Sequence, residues 1–150
     1  MIAIPTDSPA ATRAVGRRLA ALLRPGDIVL LAGRLGSGKT MFAAGVAEGL
    51  GVDEQVTSPT FVLVHEHHGF LPLVHADVYR LGSSAEFDDL ELPAIAEEGV
   101  LLVEWGNAVA SSVPPDHLLV ELVVVSETER RIELRPMGTW GTRPLEEITT

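Results

Sequence analysis

Residues 33–40 read GRLGSGKT, which satisfies the pattern G-x-x-x-x-G-K-[ST]. Each position suits one task in gripping a chain of phosphates. Gly33, Gly36 and Gly38 let the backbone turn tightly, so that several N–H groups, that of Ser37 included, can face one anion. Lys39 brings a mobile full charge to the outer phosphates. The Thr40 hydroxyl is an oxygen donor placed for Mg²⁺. Lys39 is also the single lysine of the chain, against ten arginines. The one position that kept lysine therefore invites a chemical reason. A guanine-reading N-K-x-D motif needs a second lysine, so ATP is favoured as the nucleotide.

Mg²⁺ beside such a loop usually finds a carboxylate at the end of a neighbouring apolar strand. Two segments qualify. VLLVE, residues 100–104, ends in Glu104, and LVHAD, residues 73–77, ends in Asp77. A carboxylate capping a strand is also often merely solvated. Ser58-Pro59-Thr60 reads either as an ordinary Ser-Pro turn or as a switch segment whose hydroxyl senses the γ-phosphate. His65, His67 and His68 are either exposed turn histidines or zinc ligands, and the turn is the plainer reading. The acidic residues between 86 and 98 form either a solvated face or a surface for a basic partner. Arg80 either pairs with one of them or acts as an arginine finger.

These residues need elements to hold them. Thr6-Asp7-Ser8-Pro9 is a helix start, and Val15, Leu19, Leu22 and Leu23 continue it at helical spacing. Residues 28–32 are a short apolar run, as expected of a strand buried on both faces. The glycine-rich loop follows it, and residues 39–50 read as a helix. Strands are expected at 61–64, 71–75 and 99–103, with a turn at 67–69 and short helices within 83–98. Two late strands, 118–125 and 131–135, flank a polar turn at 126–130. The tail from residue 136 is expected to be a short helix or flexible. The intermixed helices and strands predict an α/β fold with a mainly parallel core and antiparallel additions.

The chain has 150 residues, which fits one domain, 1–150. Its 46% hydrophobic content excludes a disordered polymer. Its net charge of −10 makes it a poor candidate for gripping nucleic acid unaided. It has no cysteine, which removes disulfides and thiolate chemistry. No apolar run reaches the ~18 residues of a membrane span, and the first residues lack a signal-peptide pattern, so a cytoplasmic protein is expected.

The motifs GRLGSGKT, SPTF, HADVYRL and VEW, in this order and spacing, resemble the TsaE (YjeE) family of bacterial ATPases needed for threonylcarbamoyladenosine in tRNA. The resemblance covers roughly residues 8–135. It implies a P-loop NTPase-like three-layer sandwich. It implies that Lys39 binds phosphates, that Thr40 and Glu104 hold Mg²⁺, and that Asp77 supports hydrolysis near the γ-phosphate. Ser58-Pro59-Thr60 would be the switch, Trp105 and Met41 would lie at the site, and the segment from Thr6 to Ser8 would lie near adenine. The implied partners are TsaB and TsaD, with tRNA touched only indirectly. Two departures stand out. Met41 replaces a common second threonine, and Gly106-Asn107 follow the E-W pair where the family often has an acidic or polar residue. The competing readings are a small-molecule kinase on the same loop, and an ATP-ordered binding module without turnover.

Overall fold

The computed structural model describes residues 1–56, 64–79, 81 and 83–149. The switch segment Ser58-Pro59-Thr60, Arg80, and most of the strand expected at 61–64 lie outside the described residues.

Among the described residues a seven-stranded sheet runs in the order β1-β7-β6-β2-β5-β4-β3. Its centre is parallel: β2 (Asp27–Ala32) lies between β5 (Val100–Glu104) and β6 (His117–Val124), and β4 (Leu73–Asp77) lies beyond β5. Antiparallel strands close both edges. β7 (Arg130–Met137) and β1 (Ile2–Thr6) follow β6, and β3 (Val64–His67) pairs with β4. β2 is buried throughout and divides its side chains by the period of a strand. Val29 and Leu31 enter one core, whereas Ile28 and Leu30 enter the other.

The first core lies under α1 (Pro9–Ala20) and α2 (Lys39–Gly49) and includes Val15, Leu19, Phe42 and Val46. The second lies under α3 (Ser84–Asp89), α4 (Leu92–Ile95) and the 3-10 segment Gly106–Ser112, through Phe87, Leu92 and Val109. Helices on both faces of the sheet make the three-layer α/β sandwich. Ser8 caps α1 by accepting a bond from the Ala11 N–H, and Pro9 opens its first turn. The two large helices approach closely because Gly45 has no side chain, and a Cβ there would sit 1.9 Å from the Arg13 carbonyl oxygen.

Several elements differ from the sequence expectation, most by a residue or two at their ends. The strand expected at 71–75 is β4, shifted to 73–77, and His67 ends β3 instead of opening the turn. β1 was not expected. Its burial alternates, with Ile4 and Thr6 buried, Ile2 partly so and Ala3 and Pro5 exposed, and Pro5 sits on an edge strand, where proline is tolerated. Beyond β7 the tail forms two 3-10 segments, Gly138–Thr142 and Leu145–Thr149. Trp140, Leu145 and Ile148 from them join the core under α1.

Candidate functional site

The parallel strands end at one edge of the sheet, the place where open α/β sheets bind ligands. Three of those ends supply the site. β2 runs into the glycine-rich loop, and Asp77 and Glu104, the last residues of β4 and β5, are paired in register. Both carboxylates are buried, at 6% and 2% exposure. Strand pairing thus brings together two acids that stand well apart in sequence.

The loop carries the backbone geometry that its glycines permit. Gly36 has φ 81° and Gly38 has φ 105°, the region that side-chain-bearing residues avoid. α2 begins directly after it, so the positive end of that helix and its free N–H groups face the loop. Lys39 is buried. Its Nζ donates to the Gly33 carbonyl at 2.5 Å and to the Arg34 carbonyl at 3.0 Å. The same ammonium lies 4.0 Å from the centroid of the Trp105 ring. Burial pushes the Lys39 pKa below the usual lysine range, and the charges of Glu104 and Asp77 pull it back up.

Trp105 follows Glu104 at φ 65°, a left-handed conformation that a bulky residue adopts at a cost. Its ring packs against Tyr79 at 4.9 Å between centroids. Asp77 accepts the Tyr79 N–H at 2.9 Å through Oδ1, which fixes the carboxyl at the strand end. Glu104 is held by a second residue of β4. His75 Nε2 donates to its Oε2 at 2.6 Å, and the His75 side chain is fully buried.

These groups surround a cleft of ≈ 880 Å³. Gly36, Ser37, Gly38, Lys39, Thr40 and Met41 line it from the loop and α2, and Asp77, Glu104 and Trp105 from the strand ends. The residues expected around adenine divide. Asp7 and Ser8 line the cleft, whereas Thr6 turns inward and its hydroxyl bonds that of Thr12 at 2.9 Å. Gly33 sits just behind the cleft, where a Cβ would meet the Ser37 hydroxyl oxygen at 2.5 Å. Sequence reasoning missed the opposite wall, Glu127, Thr128 and Arg130 at the β6–β7 turn. No motif spacing links them to the loop, because β6 and β7 reach it only through sheet pairing.

The donor set fits a nucleotide with Mg²⁺. Backbone N–H groups and one ammonium suit phosphate, and Thr40 and Glu104 offer hard oxygen ligands. Among the described residues no group of three or more His, Cys, Asp or Glu side chains could hold a metal unaided. His67, one of the histidines weighed for zinc, bonds Glu54 instead.

The family model for threonylcarbamoyl adenosine biosynthesis protein TsaE matches residues 6–132. The chain belongs to the TsaE family. That match takes in all the elements that build the cleft. A curated TsaE relative from Bacillus subtilis is 38% identical over 146 residues, covering 96% of this chain and 91% of its own. One from Streptomyces coelicolor is 46% identical over 114 residues, covering 73% and 77%. Among solved structures, the crystal structure of YdiB from Bacillus subtilis superposes with a TM-score of 0.80 at 33% identity, covering 99% of this chain and 93% of that one. The TsaE assignment and the superposition agree with the three-layer fold. No helix among the described residues is long and apolar enough to cross a membrane.

Proposed function

We propose that this chain binds ATP with Mg²⁺ in the cleft, hydrolyses it slowly, and thereby supports threonylcarbamoyladenosine formation in tRNA together with TsaB and TsaD. The single observation that carries the reading is the convergence on one cleft of a phosphate loop, its Lys39, and the in-register pair Asp77 and Glu104. The curated relatives named for this biosynthesis support the pathway.

In this reading, loop N–H groups and Lys39 bind the β- and γ-phosphates and stabilise the charge that shifts onto them as the terminal bond breaks. Thr40 and Glu104 hold the metal. Mg²⁺, when bound, neutralises phosphate charge. Asp77 orients the attacking water, since its Oδ1 is tied to the Tyr79 N–H and the carboxyl therefore cannot rotate freely. Trp105 supports the Lys39 ammonium from one side and limits water access to it. Thr60 would complete the water network. The protein is proposed to act in the cytoplasm as a switch on its partners, not as the threonylcarbamoyl transferase.

The test is phosphate release from Mg-ATP by the purified chain, alone and with TsaB and TsaD, beside Lys39→Ala. Turnover that rises with the partners and vanishes in the variant supports the proposal. ATP binding without turnover under any condition overturns hydrolysis and removes the catalytic role of Asp77.

A further inference from the structure

A guanidinium reaches the phosphate loop from far along the chain. Arg130 opens β7 and lies 93 residues from Ser37 in sequence. Its Nε donates to the Ser37 carbonyl at 3.2 Å, and its Nη2 donates to the Gly36 carbonyl at 3.2 Å. Its Nη1 donates to the carbonyls of Ser126 at 2.8 Å and Glu129 at 3.0 Å, with a longer contact to Glu127 at 3.4 Å. One planar group thus spans the loop and the β6–β7 turn, and every acceptor is a backbone oxygen.

We propose that Arg130 is a positioning residue of the nucleotide site, a clamp that holds the phosphate loop against the β6–β7 turn and presets the loop for phosphate. This rests on the nucleotide reading above. The peptide bonds among the described residues are trans, so a carbonyl and the N–H of the same peptide point opposite ways. Holding the Ser37 carbonyl on the Arg130 side turns the Gly38 N–H to the other side. The loop needs such a hold, because Gly36 and Gly38 give it wide backbone freedom that a ligand would otherwise have to restrict on binding. Lysine cannot replace the clamp, since a point donor does not bridge carbonyls on two segments. The same turn contributes Glu127 and Thr128 to the cleft wall, so the clamp also fixes the width of the cleft.

The test is titration of fluorescent ADP and ATP analogues into wild type, Arg130→Ala, Arg130→Lys and a control, Arg131→Ala. Arg131 is adjacent in sequence, but its Nε bonds Glu133 and not the loop. Arg130→Ala is expected to weaken both nucleotides about tenfold or more, Arg130→Lys about threefold or more, and Arg131→Ala less than about twofold. KM should rise in the Arg130 variants while kcat changes less than about twofold, because presetting the loop acts on binding. A role in folding alone would lower the melting temperature without nucleotide and leave the affinity of the folded protein unchanged, and that result overturns the clamp. Should Arg130→Ala fail to fold, Arg130→Lys decides by the same criterion. If wild type binds neither nucleotide, the reading of the cleft falls and the clamp with it. If wild type binds and both Arg130 variants bind as tightly, the clamp alone falls.

Discussion

Replacing His75 by leucine should damage both stability and turnover, and the structure gives the size. The His75 and Glu104 side chains are 0% and 3% exposed, and the Nε2–Oε2 bond is 2.6 Å. Among the described residues His75 Nδ1 has no partner, and the bond to Glu104 is the one hydrogen bond the ring makes there. Leucine fills similar space without a donor and leaves a buried carboxylate oxygen unpaired. Removing one partner of such a pair costs about 3–4 kcal/mol. The apolar gain of leucine offsets about 1 kcal/mol, leaving a loss of roughly 2–3 kcal/mol. For a chain of this length each kcal/mol lowers the melting temperature by about 2–4 °C, so the variant should melt roughly 4–12 °C below wild type. Turnover should fall about 10–100-fold, since Glu104 loses the bond that aims it. His75→Gln keeps an amide donor and should recover much of both. Thermal melting by circular dichroism and phosphate release from Mg-ATP read the two effects. A leucine variant that melts within ~2 °C of wild type would falsify the claim that this buried bond stabilises the fold.

Asp77→Asn should lower turnover by about 100-fold or more while ADP affinity changes less than about threefold, read by phosphate release and nucleotide titration. Loss of ADP binding in step with turnover would place Asp77 in binding instead. Arg143→Ala should destabilise the chain by about 3–5 kcal/mol in urea unfolding. Arg143 forks onto Asp27 at 2.5 and 2.7 Å with both side chains nearly buried, and it stacks 3.8 Å over Trp140. An unchanged midpoint would mean that the tail does not hold the fold. Glu48 accepts from Arg13 and Arg17, which depress its pKa below the usual carboxylate range. Its contribution to stability is therefore full above its unfolded pKa and is lost as pH falls through the depressed folded value. The melting difference between wild type and Glu48→Gln should be small, present at neutral pH, and absent in acid below that folded pKa. A difference that persists there rules out the ion pairs as its cause.

Much of the candidate site could be read directly from the chain, because the chemistry proposed for it is local. A phosphate loop works through consecutive backbone groups, so glycines, Lys39 and Thr40 announce themselves within 33–40. The strand ends Asp77 and Glu104 were readable for a similar reason, since apolar runs stop where the sheet meets solvent or ligand. Element types followed from periodicity, and the strand boundary at 71–75 slipped because residues 71–78 are mostly apolar and offer no sharp edge.

Other features depend on distant segments meeting, and no spacing encodes them. That His75 supports Glu104 requires β4 beside β5 in one register. That Arg130 reaches Gly36 and Ser37 requires β6 to pair with β2 on one side and β7 on the other. The inward turn of Thr6 depends on α1 presenting Thr12 to it. The docking of the tail depends on apolar surface shared with α1, against which Trp140, Leu145 and Ile148 are buried. Local sequence determines what a short segment can bind, since its own backbone and side chains carry that chemistry. Tertiary packing decides which distant groups stand behind it, because those contacts exist only after the sheet has chosen its neighbours.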